Sequence, residues 1–136
     1  MSKLEVVSKV GKVPNQAERI FNFLSDFRNF DRLIPPDAAQ NWSSDKDNCR
    51  FTIKGQQVGL EIIDRVPDKT IKIRSSEDSV LPFLFWIQLK EVAAYDTRVR
   101  LTIHAEVNMM MKVMLKKQLQ KGLDQLVDQM AMIPYP

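Results

Sequence analysis

Hydrophobic and polar residues follow two different periods along this chain, and the change of period divides it into predicted elements. From Asn108 to Ile133, apolar residues recur every three or four positions, which predicts one long amphipathic helix. A helix with a single apolar stripe needs an apolar surface to lie on, so we expect the preceding chain to supply one. The stripe consists of Met111, Leu115, Leu119, Leu123, Leu126, Val127 and Met130.

The amino-terminal segment predicts one strand and then a short helix. Lys3 to Val13 is rich in valine, with partial alternation and an interruption near Gly11, where a bulge or a bend is expected. Asn15 and Glu18 have the three-residue spacing of a helix N-cap and its reciprocal partner, and apolar residues follow at helical spacing. We therefore expect Asn15 to cap this helix.

A second short helix is predicted directly after the first. Ser25 or Asp26 is placed to cap it, and the Pro35-Pro36 pair is expected to end it because neither proline donates a backbone hydrogen bond. The two short helices should form an elbow after the first strand.

From residue 39 onward, alternation with a period of two replaces the helical period and predicts six further strands. Most of the connections between them are short and turn-like, which indicates antiparallel hairpins and makes seven strands in all. The six predicted strands are Gln40–Ser43, Cys49–Lys54, Val58–Val66, Thr70–Ser76, Phe83–Val92 and Thr97–Val107.

Alternation also sorts the side chains onto two faces, because successive residues of a strand point to opposite sides. One face is almost wholly apolar, whereas the other carries the charged residues and belongs in water. Such a sheet, covered by a helix with one apolar stripe, predicts a two-layer α+β fold formed by a single domain over residues 1–136. The cations assigned to the solvated face are Arg50, Lys54, Arg65, Lys72, Arg74, Lys90, Arg98 and Arg100.

Length and composition agree with one domain of 136 residues. A single cysteine, Cys49, forms no intramolecular disulfide, which favours a reducing compartment. No stretch approaches the ~18 consecutive apolar residues of a membrane span, so we expect a cytoplasmic protein without a transmembrane segment. The net charge of +3 is too mild to require nucleic acid, and no nucleic-acid partner is expected.

Three segments carry a resemblance to a known family: Val13 to Asp26, where a strand meets the first helix; Phe27-Arg28-Asn29-Phe30, which opens the second; and Leu119 to Leu126 in the last helix. With the order of elements, the whole chain resembles the START-like superfamily, also called SRPBCC, the helix-grip or polyketide cyclase-like fold. The resemblance implies a curved antiparallel sheet of about seven strands, wrapped around the long carboxyl-terminal helix with two short helices after strand 1. It also implies an apolar cavity, with roles from lipid binding to ring cyclisation and co-chaperone work.

Few residues offer catalytic chemistry. Ser75, Glu77 and Glu91 stand at strand ends, where a cavity rim is expected, and we interpret them as edge residues in water. His104, the single histidine, is in phase with the solvated face and is interpreted as a surface residue. We therefore predict no catalytic residue, no metal site and no cofactor.

The leading hypothesis is non-catalytic binding of a small hydrophobic ligand between the last helix and the sheet. Trp42 and Phe27 are expected at the mouth, and Lys112 is the candidate cation for an anionic headgroup. The walls are assigned to Phe51, Ile53, Leu60, Ile62, Ile73, Phe83, Phe85, Ile87, Leu101 and Ile103 on the sheet and to Met111 and Leu115 on the helix.

Two features of the long helix carry further expectations. Residues Met109 to Leu115 are apolar nearly all round, so this end is expected to be enclosed or to line a cavity. Glycine is unfavourable in the interior of a helix. A close backbone approach or a ligand contact would explain why Gly122 occurs there.

Two other classes of function stay open. One is a cyclase- or hydratase-like enzyme acting on an aromatic or polyketide-type substrate. The other is an interaction or co-chaperone-like protein with a filled cavity. The basic sheet face around Trp86 is a candidate for peripheral membrane contact, and the protein is expected to be a monomer or a homodimer.

Overall fold

A computed structural model describes residues 2–34, 37–77, 79 and 81–136. It contains one antiparallel sheet, two α-helices and one short 3₁₀ helix, in the order expected of an α+β fold. The elements are β1 (Ser2–Val7), β2 (Gly11–Val13), α1 (Ala17–Leu24), the 3₁₀ helix (Phe27–Arg32), β3 (Gln40–Ser44), β4 (Asn48–Ile53), β5 (Gln56–Val66), β6 (Thr70–Ser75), β7 (Phe83–Ala93), β8 (Asp96–Val107) and α2 (Met109–Met132).

The strands lie in the order β1-β8-β7-β6-β5-β4-β3, and β2 also pairs with β8. The described strands number eight rather than seven because the predicted first strand is broken into β1 and β2. At the break, Ser8 exchanges two hydrogen bonds with Leu101: its amide donates to the carbonyl, and its hydroxyl accepts from the amide, both at 2.8 Å. Between these pairings three residues of the amino-terminal segment oppose two of β8, so the interruption predicted near Gly11 is an extra residue, as in a bulge, and both parts stay paired with β8.

The first helix is capped from the sheet rather than by its own sequence. The helix begins at Ala17 after Gln16, which makes no side-chain cap. A carboxylate oxygen of Glu91 on β7 accepts a hydrogen bond from the Ala17 amide at 2.9 Å. The predicted Asn15 cap is wrong, because the Asn15 side chain accepts from the Gln16 amide, one residue before the helix.

The second helix is capped as the sequence predicts. The Asp26 carboxylate accepts from the Arg28 amide at 3.0 Å, so Asp26 rather than Ser25 is the cap. The helix is of the 3₁₀ type, and it buries Phe27 and Phe30 against each other with ring centroids 4.8 Å apart. The Pro35-Pro36 pair, predicted to end this helix, lies outside the described residues.

A β-bulge in β5 reverses the predicted orientation of Arg65. Asp64 pairs with Lys72 and Arg65 with Ile71, so an extra residue at Ile63 shifts the alternation. Arg65 therefore leaves the solvated face and lies on the side of the elbow. Its guanidinium donates to the Ser25 carbonyl at 2.8 Å and to the Asp47 carboxylate at 2.6 Å.

The long helix is confirmed, and it is packed mainly through its carboxyl-terminal half. Asn108 caps it by accepting from the Met111 amide at 2.8 Å. Its buried residues are Leu123, Val127 and Met130, and it contacts β1, β2 and β8. The Tyr135 hydroxyl donates to the Met130 carbonyl at 2.6 Å, which holds the end of the chain on the core.

Candidate ligand groove

The inner face of the sheet is a continuous apolar surface because the strand register aligns like residues across it. Ile62 on β5 pairs with Ile73 on β6, which pairs with Phe85 on β7. Phe85 in turn pairs with Ile103 on β8. Cross-strand neighbours of this kind pack side by side, so four strands share one apolar row.

Burial along this face decreases from one end of the strands to the other. Ile71, Ile87 and Leu101, which form the neighbouring row, have no exposed surface at all. Phe85 and Phe83, further along the strands away from the elbow, are only half-buried. The elbow covers one end of the inner face, and the other end remains partly open.

We call the open region the inner groove. Its residues are large and apolar, pack against the core, and keep part of their surface accessible. They are Ile53, Val58, Leu60, Phe83 and Phe85 on the sheet and Leu115 and Leu119 on α2.

The inner groove contains some of the residues predicted as ligand walls but excludes others. Ile73, Ile87 and Leu101 leave at most 1% of their surface accessible, so a water-sized molecule hardly reaches them. Ile62, Phe51 and Ile103 are buried to within a few per cent and form its floor. Met111 lies one turn before Leu115 on the same side of α2 but is exposed.

Phe27 does not lie at the mouth where the sequence placed it. It has no exposed surface, and its ring packs edge-on against Phe30 beneath the elbow. The position is buried because the turn of 3₁₀ helix directs both rings into the core.

The structure places Trp42, the other residue predicted at the mouth, at the edge of the sheet. It is half-buried on the edge strand β3, and its ring stacks on Phe51 with centroids 5.0 Å apart and planes at 17°. The indole N–H donates to the Ser44 hydroxyl at 3.2 Å. Trp42 therefore presents a fixed aromatic face beside the inner groove.

Two groove residues were missed by the sequence analysis as ligand contacts, although both carried a signal. Val58 alternates in phase with Leu60, and Leu119 belongs to the apolar stripe of α2. Their exposure depends on how far α2 covers the sheet, which periodicity does not report.

Two of the three polar residues predicted at strand ends form hydrogen bonds that hold the fold. The Ser75 hydroxyl accepts from the Phe83 amide at 2.9 Å and thereby closes the β6–β7 connection. Glu91 caps α1, and Glu77 is exposed. His104 lies on the outer face, where it pairs with Glu5 at 2.6 Å and packs on Trp86.

Cys49 is a buried free cysteine whose thiol is poorly reactive. Burial raises the pKa of Cys49 to about 12, so almost no thiolate forms near neutral pH.

Among the residues that the structure describes, no group of three or more His, Cys, Asp and Glu side chains is arranged to hold a metal ion.

The amino-terminal half of α2 is not enclosed, contrary to expectation. Met109, Met110, Val113 and Met114 expose between 64% and 77% of their surface. Lys112 is half-buried on the side of the helix that carries Leu115 and Leu119. Gly122 also lacks the close approach expected of it, because a Cβ there would meet nothing within 4 Å.

A surface pocket of about 790 Å³ adjoins the open end of the inner face. It is lined in part by Lys3, Ser75, Glu77, Phe83 and Ala105. Because Phe83 and Ala105 belong to the inner face, this pocket gives the open end of the sheet a polar border.

Comparisons with known proteins identify the fold. No protein-family model matches the chain, and no curated protein matches it in sequence. A START superfamily protein from Mycobacterium smegmatis superposes with a TM-score of 0.75 at 15% identity, covering 93% of this chain and 94% of the other.

Two further solved structures agree. A protein from Arthrobacter aurescens has a TM-score of 0.73 at 12% identity over 94% of this chain and 84% of its own. Protein Mll3558 from Rhizobium loti has a TM-score of 0.65 at 18% identity over 96% and 98%. At these identities the likeness shows a START-like helix-grip fold and nothing finer. No helix of the described residues is long and apolar enough to cross a membrane.

Proposed function

We propose that this START-like domain binds a small hydrophobic molecule in the inner groove without transforming it. The observation that carries the proposal is the uncovered apolar surface of the groove. Phe83, Phe85 and Leu60 are large, lie on the inner face of the sheet and are only partly buried, whereas Ile71, Ile87 and Leu101 on the same face are sealed.

The hydrophobic effect supplies the driving force for such binding. Each 100 Å² of apolar surface removed from water contributes about 2.5 kcal/mol. A ligand that covers the groove buries its own surface as well as that of the protein, so affinity needs few directional contacts. Aromatic rings at Phe83, Phe85 and Trp42 favour a ligand with a flat or extended apolar part.

Lys112 is a cation on the side of α2 that forms the helix wall of the groove. It lies one turn before Leu115 and is half-buried, whereas Lys116 and Lys117 are exposed. A flexible stem that lies along apolar surface would let its ammonium reach an anionic group at the groove entrance. We therefore extend the proposal to ligands with a carboxylate or phosphate at one end.

The chemistry of the groove supports holding a ligand rather than converting it. General acid–base catalysis needs a titratable group within reach of the substrate. The two strongest candidates for such a group already form hydrogen bonds within the fold: Glu91 caps α1, and the Ser75 hydroxyl accepts from the Phe83 amide. The groove residues themselves are Ile, Val, Leu and Phe.

The test is native mass spectrometry of protein purified without detergent, followed by extraction and identification of any released molecule. Phe83→Lys should abolish the adduct and the uptake of added fatty acids, quinones or flavonoid-like rings. Leu84→Lys is the matched control, since Leu84 is the next residue of β7, equally half-buried, on the opposite face.

Circular dichroism must show both variants folded. A clean apo mass that resists loading by all three ligand classes would contradict the proposal and favour the filled-cavity alternative. Equal loss of binding in both variants would also contradict it, because the effect would then not depend on the inner face.

A further inference from the structure

One side of the amino-terminal half of α2 is both apolar and basic, and no described residue covers it. We call it the outer helix face. With 3.6 residues per turn, it lies opposite Leu115 and Leu119, which face the groove. It consists of Met110, Val113 and Met114, with Lys116, Lys117 and Lys121 beside them. Met109 is not part of it, because its sulfur accepts a hydrogen bond from the Ser2 hydroxyl at 2.9 Å.

The charge of α2 is divided along its length. No acidic residue occurs between Val107 and Leu123, and the first turn contains none. The acidic residues Asp124 and Asp128 lie in the other half, where they bind the Lys9 amide at 2.8 Å and the Lys9 ammonium at 2.6 Å. The carboxyl-terminal half is thus tied to the sheet, and the amino-terminal half presents apolar and cationic groups to solvent.

We infer that the outer helix face docks on an anionic lipid surface. Methionine and valine side chains would enter the headgroup boundary, and the three lysines would meet the phosphates around them. A second copy of the chain is a poorer occupant, because a symmetric contact would bring both copies of the three lysines into one interface with no acidic residue of this helix half to balance them. This inference goes beyond ligand binding and holds whether or not the groove carries a ligand.

The position of this surface gives docking a consequence for the groove. Leu115 and Leu119 line the groove from the opposite side of the same helical turns. Contact with lipid through Met110 and Met114 would therefore place α2 between the bilayer and the inner groove, which would lie about one helix diameter, ~10 Å, from the lipid.

The first experiment is co-sedimentation of the full chain with vesicles of about two parts phosphatidylcholine to one part phosphatidylglycerol, against phosphatidylcholine alone. Binding is expected only to the mixed vesicles and should fall as salt rises. Lys117→Gln with Lys121→Gln should weaken it about fivefold for each lysine removed. The matched control removes two exposed cations from the outer sheet face, Lys90→Gln with Arg100→Gln, and should bind like the unmodified protein.

The apolar contribution is tested separately. Met110→Gln with Met114→Gln should weaken vesicle binding by at least about tenfold. Met132→Gln is the control, since Met132 is 76% exposed at the far end of the same helix. All of these side chains are exposed, so thermal unfolding should hardly change.

A dye placed on the helix reports the depth of contact. Because Cys49 is buried with a pKa raised to about 12, an introduced cysteine can be labelled selectively. An environment-sensitive dye at Met110→Cys should shift to the blue on mixed vesicles, and at Met132→Cys it should not.

Three results would overturn the inference. The first is no binding to the mixed vesicles. The second is loss of vesicle binding in the Lys90→Gln, Arg100→Gln variant, which would assign docking to the outer sheet face. The third is a dimer of the unmodified protein in sedimentation that is lost in the Met110→Gln, Met114→Gln variant, together with no binding to vesicles. Loss of ligand uptake in the Phe83→Lys variant with vesicle binding intact would separate this inference from the proposed function.

Discussion

Gly11 on β2 lies directly beneath Val127 on α2, so that a Cβ on Gly11 would overlap the Cγ1 atom of Val127. The same Cβ would stand 3.2 Å from the Cγ1 atom of Val99 on β8. Val127 and Val99 are both fully buried. The contact between the long helix and the sheet therefore depends on the missing side chain at Gly11.

Gly11→Ala is expected to lower the free energy of unfolding by about 1–3 kcal/mol, because the helix or Val127 must shift. Urea denaturation followed by circular dichroism measures the change. In a Val127→Ala background the same substitution should cost clearly less, since the overlapping methyl group is gone. Gly122→Ala is the control of opposite sign: a Cβ there meets nothing, and the gain in helix propensity should stabilise the protein by up to about 1 kcal/mol.

The carboxylate of Glu91 is expected to act as a helix cap. Glu91→Ala should destabilise the protein by about 0.5–2 kcal/mol, because the Ala17 amide loses its acceptor. Glu91→Gln keeps an acceptor oxygen and should retain most of this stability. Glu77→Ala, at an exposed position, serves as the comparison and should change little. A Glu91→Gln variant as unstable as Glu91→Ala would contradict the capping role.

Arg65 is expected to fasten the elbow to the bulge of β5. Arg65→Gln should lower the free energy of unfolding by about 1–3 kcal/mol, since the Ser25 carbonyl, on a buried residue, loses a charged donor. Arg74→Gln tests an exposed ion pair with Glu61 on the outer face and should cost at most about 1 kcal/mol. Equal losses of unfolding free energy in the two variants would show that Arg65 stabilises the protein no more than an exposed ion pair does.

Cys49 should be unreactive in the native state. A thiol reagent at neutral pH should modify it only at the rate of unfolding, because burial raises the pKa of the thiol from 9.0 to about 12. The raised pKa stabilises the fold below pH 9, and this contribution is lost as the pH rises from 9 towards 12, where the unfolded thiol ionises first. The fall in unfolding free energy over that range should therefore be shallower for Cys49→Ala. Rapid labelling of native protein would contradict the prediction.

Much of the fold could be predicted because periodicity is a local property. The long helix, the antiparallel hairpins and the Asp26 cap each depend on residues that are neighbours in sequence, and the structure confirms them. The turn Asp45 to Asn48 is likewise local: the Asp45 carboxylate accepts from the Asn48 amide at 2.7 Å. The apolar face of the sheet followed from alternation, and with it the general location of the groove.

The errors arise where residues distant in sequence meet. Glu91 replaces the Asn15 cap from across 74 positions, and the bulge at Ile63 reorients Arg65. The sequence by itself determined which side chains are apolar and in what period, because side-chain direction follows backbone geometry. Only the tertiary structure decided which of them are covered, because coverage depends on where α2 crosses the sheet. That crossing seals Leu101, leaves Phe83 half-open and turns Met110 out to solvent.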